Sequence, residues 1–566
     1  MCSSHAINRN FFRKTLGVSK LSVGRLGSRP GTNRISDAKK LSPRMTGVCK
    51  LTRVLIFTSH PRPAIGAMLT SSVASTAPVA TSIHARVGLD RVTRRVAPRP
   101  RGRAVRLRAA PAPTDTSVKF VDFDTSGCGP FPLLEPTRGY SHVSPGVCDT
   151  CADSAEARRA WVALLLGQLP SHRANAERTA SFLGDDCPPD YVDRYRAWEG
   201  DYETYLAEIS KDDVPAGQGA TLLDMVDTKE KLLRARGLDD MFAGLKRDEN
   251  AIAAVLFHSI AAEIDSIWSP DDAKSSESHK ARMIQAVLEC CLAGNLFDAG
   301  AAAAVQGVAV GDFCEPCVVE PDSSEMSEEE VGRYKLDAVQ LAEVFARARE
   351  RVSRDTSEGG WRFDSLERIQ ERCGRSPTGG SPTGGSPSAQ GPGWRRVVIF
   401  CDNAGADVMG MVLLAKALAA VGGSGTEIAL VANTHAALND VTHTELDAFL
   451  KTVAGADPIL KAQMDAGAVR AVPSGQFSTL LDLNRCGPEL NGWVTDQFGK
   501  VPASDEWLVV FDGMGRGLES NWNPAPYFKD GVCLLNLAMV KSEINAKRLD
   551  AEVYDCVVKL SVGGSK

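Results

Sequence analysis

Acidic residues are almost missing from the first 110 positions of this 566-residue chain: Asp37 and Asp90 stand against 22 Lys and Arg. That segment therefore carries a net charge of +20, and the rest of the chain −25 against an overall −5. It is rich in Ser, Ala, Thr and Pro and has no sustained apolar period, which argues against a packed core there. Two readings remain: an Arg-rich, acid-poor organelle transit peptide, or a disordered basic arm that binds RNA or an anionic membrane. We expect residues 1–112 to be a transit peptide. The Ser/Ala/Arg content and "VRLRAA" favour plastid over mitochondrion, with the cytoplasm as the location if the segment does not target.

Long apolar runs are missing as well. No uninterrupted run approaches the roughly 18 residues a membrane helix requires, so the expectation is a soluble protein with neither membrane nor nucleic acid as partner. Nothing in the sequence sets an oligomeric state. Fifteen cysteines lack the short regular spacing of a disulfide framework, which suits a reducing compartment and free thiols. Two pairs do keep ligand-like spacing, Cys148/Cys151 in "CDTC" and Cys314/Cys317 in "CEPC". They are either incidental thiols or, if folding brings them together, a four-thiolate zinc site.

What is present divides the chain. From about 150 to 350, "EARRAWVALLLGQL", "YVDRYRAWEGDYETYLAEI", "AIAAVLFHSIAAEI" and their neighbours place apolar residues three and four apart, the period of an amphipathic helix. We expect a helical domain over 113–360. The tandem repeat "SPTGGSPTGGSPSAQGPG" then marks a flexible insertion or linker, 361–395. Beyond it, short β-branched runs at 397–400, 427–432, 468–472, 507–511, 532–539 and 553–560 alternate with helical stretches. That alternation predicts an α/β domain over 396–566, a mostly parallel sheet with helices on both faces in a Rossmann-like three-layer arrangement.

In such folds ligands sit beyond the carboxyl ends of the strands. Here those ends read Asp402-Asn403, Ala432-Asn433, Pro473-Ser474-Gly475 and Asp512-Gly513-Met514-Gly515-Arg516, every one polar or Gly-rich. Asp402 and Asn403 offer hard oxygens suited to Mg²⁺ or Mn²⁺. Asp440 is either a third ligand or an N-cap of the following helix, where Thr442 and Glu445 can form a capping box. Gly405 and the helix after it present backbone N–H groups that favour an anion, and Arg516 has the two-pronged geometry for phosphate. Metal and phosphate contacts together point to phosphoester hydrolysis. A dinucleotide site would want G-x-G-x-x-G directly after a strand, and "DNAGADVMG" lacks it; Ala404 stands where a haloacid-dehalogenase phosphatase has the second Asp of D-x-D. A methyltransferase also uses a parallel sheet, but a neutral methyl donor gives no reason for clustered metal-type oxygens.

The ordered motifs "DNAGADVMG", "GTEIALVANTHAALNDVTHTEL", "VVFDGMGRGLESN", "AMVKSEINAKRL" and "VYDCVVKL" closely resemble the metal-dependent damage-control phosphatases, in the branch of the plant proteins and of the phosphatase domain fused to pantothenate kinases. "LLRARGLDDMFAGLKRDENA" and "CLAGNLFDAG" extend the resemblance into the helical region, so that it covers most of 130–560. It implies that Asp402, Asn403 and Asp440 hold a divalent cation (Mn²⁺, Ni²⁺, Co²⁺ or Mg²⁺). It also implies Asp407 as nucleophile or water-orienting group and Asn433, Ser474, Gly475, Arg516 and Lys541 as pocket residues, with Asn295 and Asp298 closing the site from the helical side. The implied substrate is a small phosphorylated metabolite, 4′-phosphopantetheine or its oxidised or damaged forms. Alternatives are a carboxyl methyltransferase, an activity assigned to a relative, and a non-catalytic regulatory module of coenzyme A metabolism. The chain departs from the branch at Leu535-Asn536, where a lysine is usual, and at Asp512, where glutamate is usual.

Overall fold

A computed structural model describes residues 123, 125–141, 154–211, 218–267, 277–296, 338–355, 360–374 and 393–564, all within one compact unit spanning Arg108–Lys566. The basic N-terminal segment, both cysteine pairs, Asp298 and the Ser-Pro-Thr-Gly-Gly repeat lie outside the described residues. The nine described cysteines are all free thiols.

The sheet has seven strands: β1 (Phe363–Asp364), β2 (Arg396–Phe400), β3 (Glu427–Ala432), β4 (Val469–Pro473), β5 (Trp507–Asp512), β6 (Cys533–Met539) and β7 (Cys556–Val562), in the order β1-β7-β6-β5-β2-β3-β4. All six strands read from the sequence are present. β4, β3, β2, β5 and β6 run parallel, whereas β7 is antiparallel to β6 and carries β1 parallel to itself at the edge. Strand order reverses between β2 and β5. Their carboxyl ends therefore diverge into opposite connections and leave a crevice there.

Every residue of β2 is buried, as expected of a central strand covered on both faces. Alternation assigns the two sides. Val397 and Ile399 join one core with α5 (Ala243–Ile267), α6 (Glu277–Leu296), α7 (Ala338–Val352), α8 (Leu366–Gly374) and α9 (Ala406–Gly422). Val398 and Phe400 join the other with Phe131, Leu133 and Leu134 and with α12 (Pro488–Lys500). The three layers are those expected. Helix α9, apolar all round, is buried along nearly its whole length, as such helices must be.

The domain plan differs from the expectation in two ways. Helices α1 (Ala155–Gly167), α2 (Leu169–Leu183), α3 (Tyr191–Ile209) and α4 (Leu222–Ala235) build a helical core of their own, joined by Leu245 in the first turn of α5. Helices α5 to α7 instead complete one face of the sheet and bury their apolar stripes in its core, as a helix with one apolar face must. The expected linker 361–395 begins with ordered elements, β1 and α8, and α8 buries Leu366, Ile369 and Cys373 in the sheet's core. Helix α5 has, among the described residues, the length and mean hydropathy of a membrane span. Its Ala253, Leu256 and Phe257 lie in the shared core, and its Glu263 and Asp265 pair with Arg349 and Lys416, so one face of the helix packs on the sheet layer.

Two glycines set the distance between α6 and α9. A methyl group on Gly294 would sit 2.5 Å from the Ala406 carbonyl oxygen, and one on Gly410 would sit 2.8 Å from the Cys291 Cα. This close crossing brings Asn295 to the start of α9.

Candidate active site

Beyond β2, Asp402 and Asn403 meet the loop after β3. The Val441 N–H donates to the Asp402 carbonyl oxygen at 2.9 Å, and the Ala404 N–H to that of Asn439 at 3.0 Å. Asn403 and Asp440 form an isolated antiparallel bridge, so the two loops act as one piece. Leu438 supports the turn in the left-handed region at φ 47°, a conformation costly for a non-glycine residue and frequent at functional sites.

The two readings of Asp440 separate cleanly. Thr442 is the N-cap of α10 (His443–Ala454) and forms a capping box with Glu445. Asp440 is thereby released from capping. Its Oδ2 accepts from Asn433 Nδ2 at 3.0 Å and from Arg516 Nη2 at 2.7 Å. The other arm of the Arg516 guanidinium donates to Asp402 Oδ1, so one cation bridges the two carboxylates. Arg516 stands on a π-helical turn, Gly515–Ser520, directly after β5. Asn536 of β6 holds that turn by donating to the carbonyls of Gly517 and Asn521 at 2.6 and 2.7 Å. The departure at Asn536 thus braces the arginine's loop.

Beneath this pair lies a second acid layer. Asn403 donates through Nδ2 to Asp402 Oδ2 at 3.0 Å and to Asp407 Oδ2 at 3.3 Å. Asn295 donates to Asp407 Oδ1 at 2.6 Å and to Asp512 Oδ1 at 3.3 Å. Asp512 Oδ2 accepts from the Asp402 N–H at 3.2 Å. Burial, reinforced by Asp407 and Asp402, pushes the Asp512 carboxyl well above the usual range. Burial likewise raises Asp440 to about 8, with Asp402 adding to the rise and Arg516 opposing it. Buried carboxylates at this density need a cation or a proton.

A cleft of about 120 Å³ opens beside these groups. Asp402, Asn403, Asp440, Glu519 and Lys541 line its polar side; Trp161, Leu165 and Leu222 from α1 and α4 line the apolar side. The four-helix subassembly thus covers the carboxyl rim of the sheet. A larger cavity, about 720 Å³, lies by Leu413, Thr426 and Pro458, at the opposite end of β3. It contains none of the candidate residues.

The sequence-derived candidates take different places. Lys541 lines the cleft. Asn433 and Asn295 are buried and spend their amides on Asp440 and on the Asp407–Asp512 layer, so they hold those carboxylates in place and do not line the cleft. Asp407 was expected to attack or orient water, but it is 1% exposed and both its oxygens accept from amides; it orients Asn403. Ser474 and Gly475 are also corrected. The Ser474 hydroxyl accepts from the Gln476 N–H at 3.0 Å. Gly475, at φ 82°, lies where a Cβ would meet the Gly487 Cα at 2.5 Å, a close backbone crossing that accounts for the glycine, and it does not line the cleft.

Four further residues take part in this arrangement. Asp512 and Gly513 belong to a strand end that the sequence marks as polar and Gly-rich. Gly513, at φ 77°, leaves room for the Asp402 carboxylate. Glu519 lines the cleft with its carboxyl pushed up to about 7, chiefly by burial. Lys229 of α4 lines it too; burial lowers its ammonium's pKa, and Glu230 and Asp440 oppose the drop. Glu519 had no spacing signal, and Lys229 read as one charge among many on an amphipathic helix.

The oxygen donors of Asp402, Asn403 and Asp440 fit a hard divalent cation. The guanidinium between the two carboxylates marks where positive charge belongs. Among the described residues no three His, Cys, Asp or Glu side chains gather as a metal cluster; this set is two carboxylates and a carboxamide.

A parallel sheet whose switch-point crevice carries paired carboxylates, a carboxamide and cations has the make-up of a phosphoester-handling site. Residues 168–330 and 332–557 match the damage-control phosphatase ARMT1-like domain, and the chain belongs to that family. It is 27% identical over 410 residues to a damage-control phosphatase of Arabidopsis thaliana, covering 71% of this chain and 87% of the relative. It is 26% identical over 453 residues to pantothenate kinase 2 of Oryza sativa subsp. japonica, covering 76% of this chain and 41% of the relative. It is 24% identical over 474 residues to 4′-phosphopantetheine phosphatase of Mus musculus, 76% of this chain and 48% of that protein. The chain thus spans less than half the length of these last two.

Proposed function

We propose that this protein is a divalent-metal-dependent phosphatase of small phosphorylated metabolites, with 4′-phosphopantetheine and its oxidised or damaged forms as substrates. The observation that carries the reading is the Asp402–Arg516–Asp440 bridge beside Asn403, a cation site built of hard oxygens at the switch point of the sheet. The name of the mouse relative supports the substrate class, and so does the cleft's division into an ionic side and an apolar side suited to an uncharged arm.

In this reading Asp402, Asn403 and Asp440 hold Mn²⁺, Co²⁺, Ni²⁺ or Mg²⁺. When bound, the cation supplies charge neutralisation for phosphoryl oxygens and acidifies water. The protein's own groups do the rest. Asn433 and Asp407 fix the ligands in place, Lys541 faces the phosphate, and Arg516, displaced from the carboxylates, is close enough to share in binding it. Hydrolysis forms a new P–O bond from water and breaks the ester P–O bond, with one water proton leaving on the alcohol. Because Asp407 is sealed by amides, direct attack by water fits the geometry better than an aspartyl-phosphate on that residue.

The test is phosphate release from p-nitrophenyl phosphate and 4′-phosphopantetheine with each metal. A carboxyl methyltransferase would instead bind a methyl donor without metal, seen by calorimetry, and a regulatory module would keep its biological effect in Asp402→Ala. We also propose organellar targeting, plastid first. A fluorescent fusion of residues 1–112 that stays in the cytosol would reject it.

A further inference from the structure

Lys229 is a lysine in an unusual position. Its side chain is 1% exposed, and its Nζ has no hydrogen-bond partner. The nearest acid, Glu230 Oε1, stands 3.9 Å away, beyond hydrogen-bonding distance. An ammonium taken out of water without such bonds is costly and is retained where something else supplies its partner.

The surroundings say what that partner is. Leu222, Val226 and Lys229 follow one another at helical spacings of four and three on α4, and all three face the cleft, as residues on one helix face do. The stripe passes from apolar to cationic, and its cationic end shares the cleft with Asp402, Asp440 and Lys541. Of the described residues that α1 and α4 bring to the cleft, Lys229 alone is charged; its buried, unpartnered ammonium belongs to the same lining as Asp402, Asn403 and Asp440.

We propose that Lys229 is a substrate-binding residue that hydrogen-bonds the phosphoryl oxygens from the helical wall, opposite the metal ligands, so that the phosphate is gripped between the two subassemblies. The assignment rests on the phosphatase reading above and adds the group through which the helical segment takes part. It also gives the apolar stripe of α4 a role: with Lys229 on the phosphate, Val226 and Leu222 lie along the leaving alcohol.

The experiment uses the full-length protein and Lys229→Met, which keeps the length of the side chain and removes the charge. Binding of inorganic phosphate is measured by calorimetry in the presence of Mn²⁺, beside kcat, KM and thermal midpoint. The expected result is phosphate binding weakened about tenfold or more, the scale of a charge-assisted contact, with KM raised and the thermal midpoint unchanged or higher. If Lys229 serves only as counter-charge to Glu230, Lys229→Met lowers the midpoint, Lys229→Met/Glu230→Gln restores it, and phosphate binding stays at the wild-type value; that pattern overturns the assignment. So does a wild type that binds no phosphate. A wild type that binds phosphate through Lys229 yet hydrolyses no ester overturns the phosphatase reading and leaves the anion site standing.

Discussion

The Asp402 carboxylate fills the space beside Gly513 that a side chain there would need. A methyl group on the Gly513 Cα would lie 1.9 Å from Asp402 Oδ2, and the backbone at 513 has φ 77°. Gly513→Ala should therefore fold less stably by about 2–4 kcal/mol and lose activity, because the carboxylate must move before the backbone strain is even counted. Gly423→Ala is the control: its φ is 70° but nothing lies within 4 Å of the added carbon. With φ 70° and ψ −160° it should cost about 1–3 kcal/mol of backbone strain and leave turnover intact. Urea denaturation and initial rates for both variants check this.

Removing Arg516 leaves Asp402 and Asp440 buried without their shared cation. Arg516→Met is expected to destabilise by about 3–5 kcal/mol, the usual cost of breaking a buried pair from one side. If the same place takes a divalent metal, Mn²⁺ should restore much of the loss, since a ligand that binds only the folded state stabilises it by mass action. Thermal midpoints with and without Mn²⁺ read this out; a variant unmoved by metal contradicts the shared-cation argument.

Asp440→Asn separates ligand from scaffold. Thr442 and Glu445 cap α10 unaided, and an Asn carbonyl can still accept from Asn433. Burial pushes this carboxyl's pKa up against the pull of Arg516, so trading one arm of the ion pair for a neutral amide should cost less than losing Arg516, about 1–2 kcal/mol. Metal-dependent activity and the Mn²⁺-induced rise in midpoint should both vanish. A variant that keeps both would remove Asp440 from the ligand set.

The buried Glu230 carboxyl is raised from 4.5 to about 7, mainly by burial. The folded state holds this proton where the unfolded chain has lost it. Its stabilising contribution is complete below about pH 4.5 and disappears as pH rises through about 7. Glu230→Gln should flatten that decline, with a difference on the order of 1–3 kcal/mol between pH 4.5 and 8. Denaturant midpoints across the range would show identical slopes for the two proteins if Glu230 were not responsible.

The strands and the placing of Asp402 and Asn403 at the end of a central strand were legible because they rest on local signals: β-branched runs, and polar or glycine residues where those runs end. What stayed hidden depends on residues distant in sequence. The apolar stripes of α5 to α7 show that a face is buried but not against what, so a helical domain and a sheet layer look alike. Asn433 and Asn295 were recognisable as important, but whether an amide faces substrate or braces a carboxylate is settled by which neighbours folding delivers. Gly513 carries no mark of the carboxylate it accommodates, and Lys229 looks like any solvated helix charge until the sheet's rim is placed against it.

The central claim is metal-dependent ester hydrolysis at Asp402, Asn403 and Asp440. It is tested most directly by phosphate release from 4′-phosphopantetheine by the full-length protein, with Mn²⁺, Co²⁺, Ni²⁺ or Mg²⁺ and after chelation. The account predicts release with at least one metal, none with chelator, and none from Asp402→Ala. Release that persists in chelator or in Asp402→Ala, or no release with any of the four ions, would contradict it.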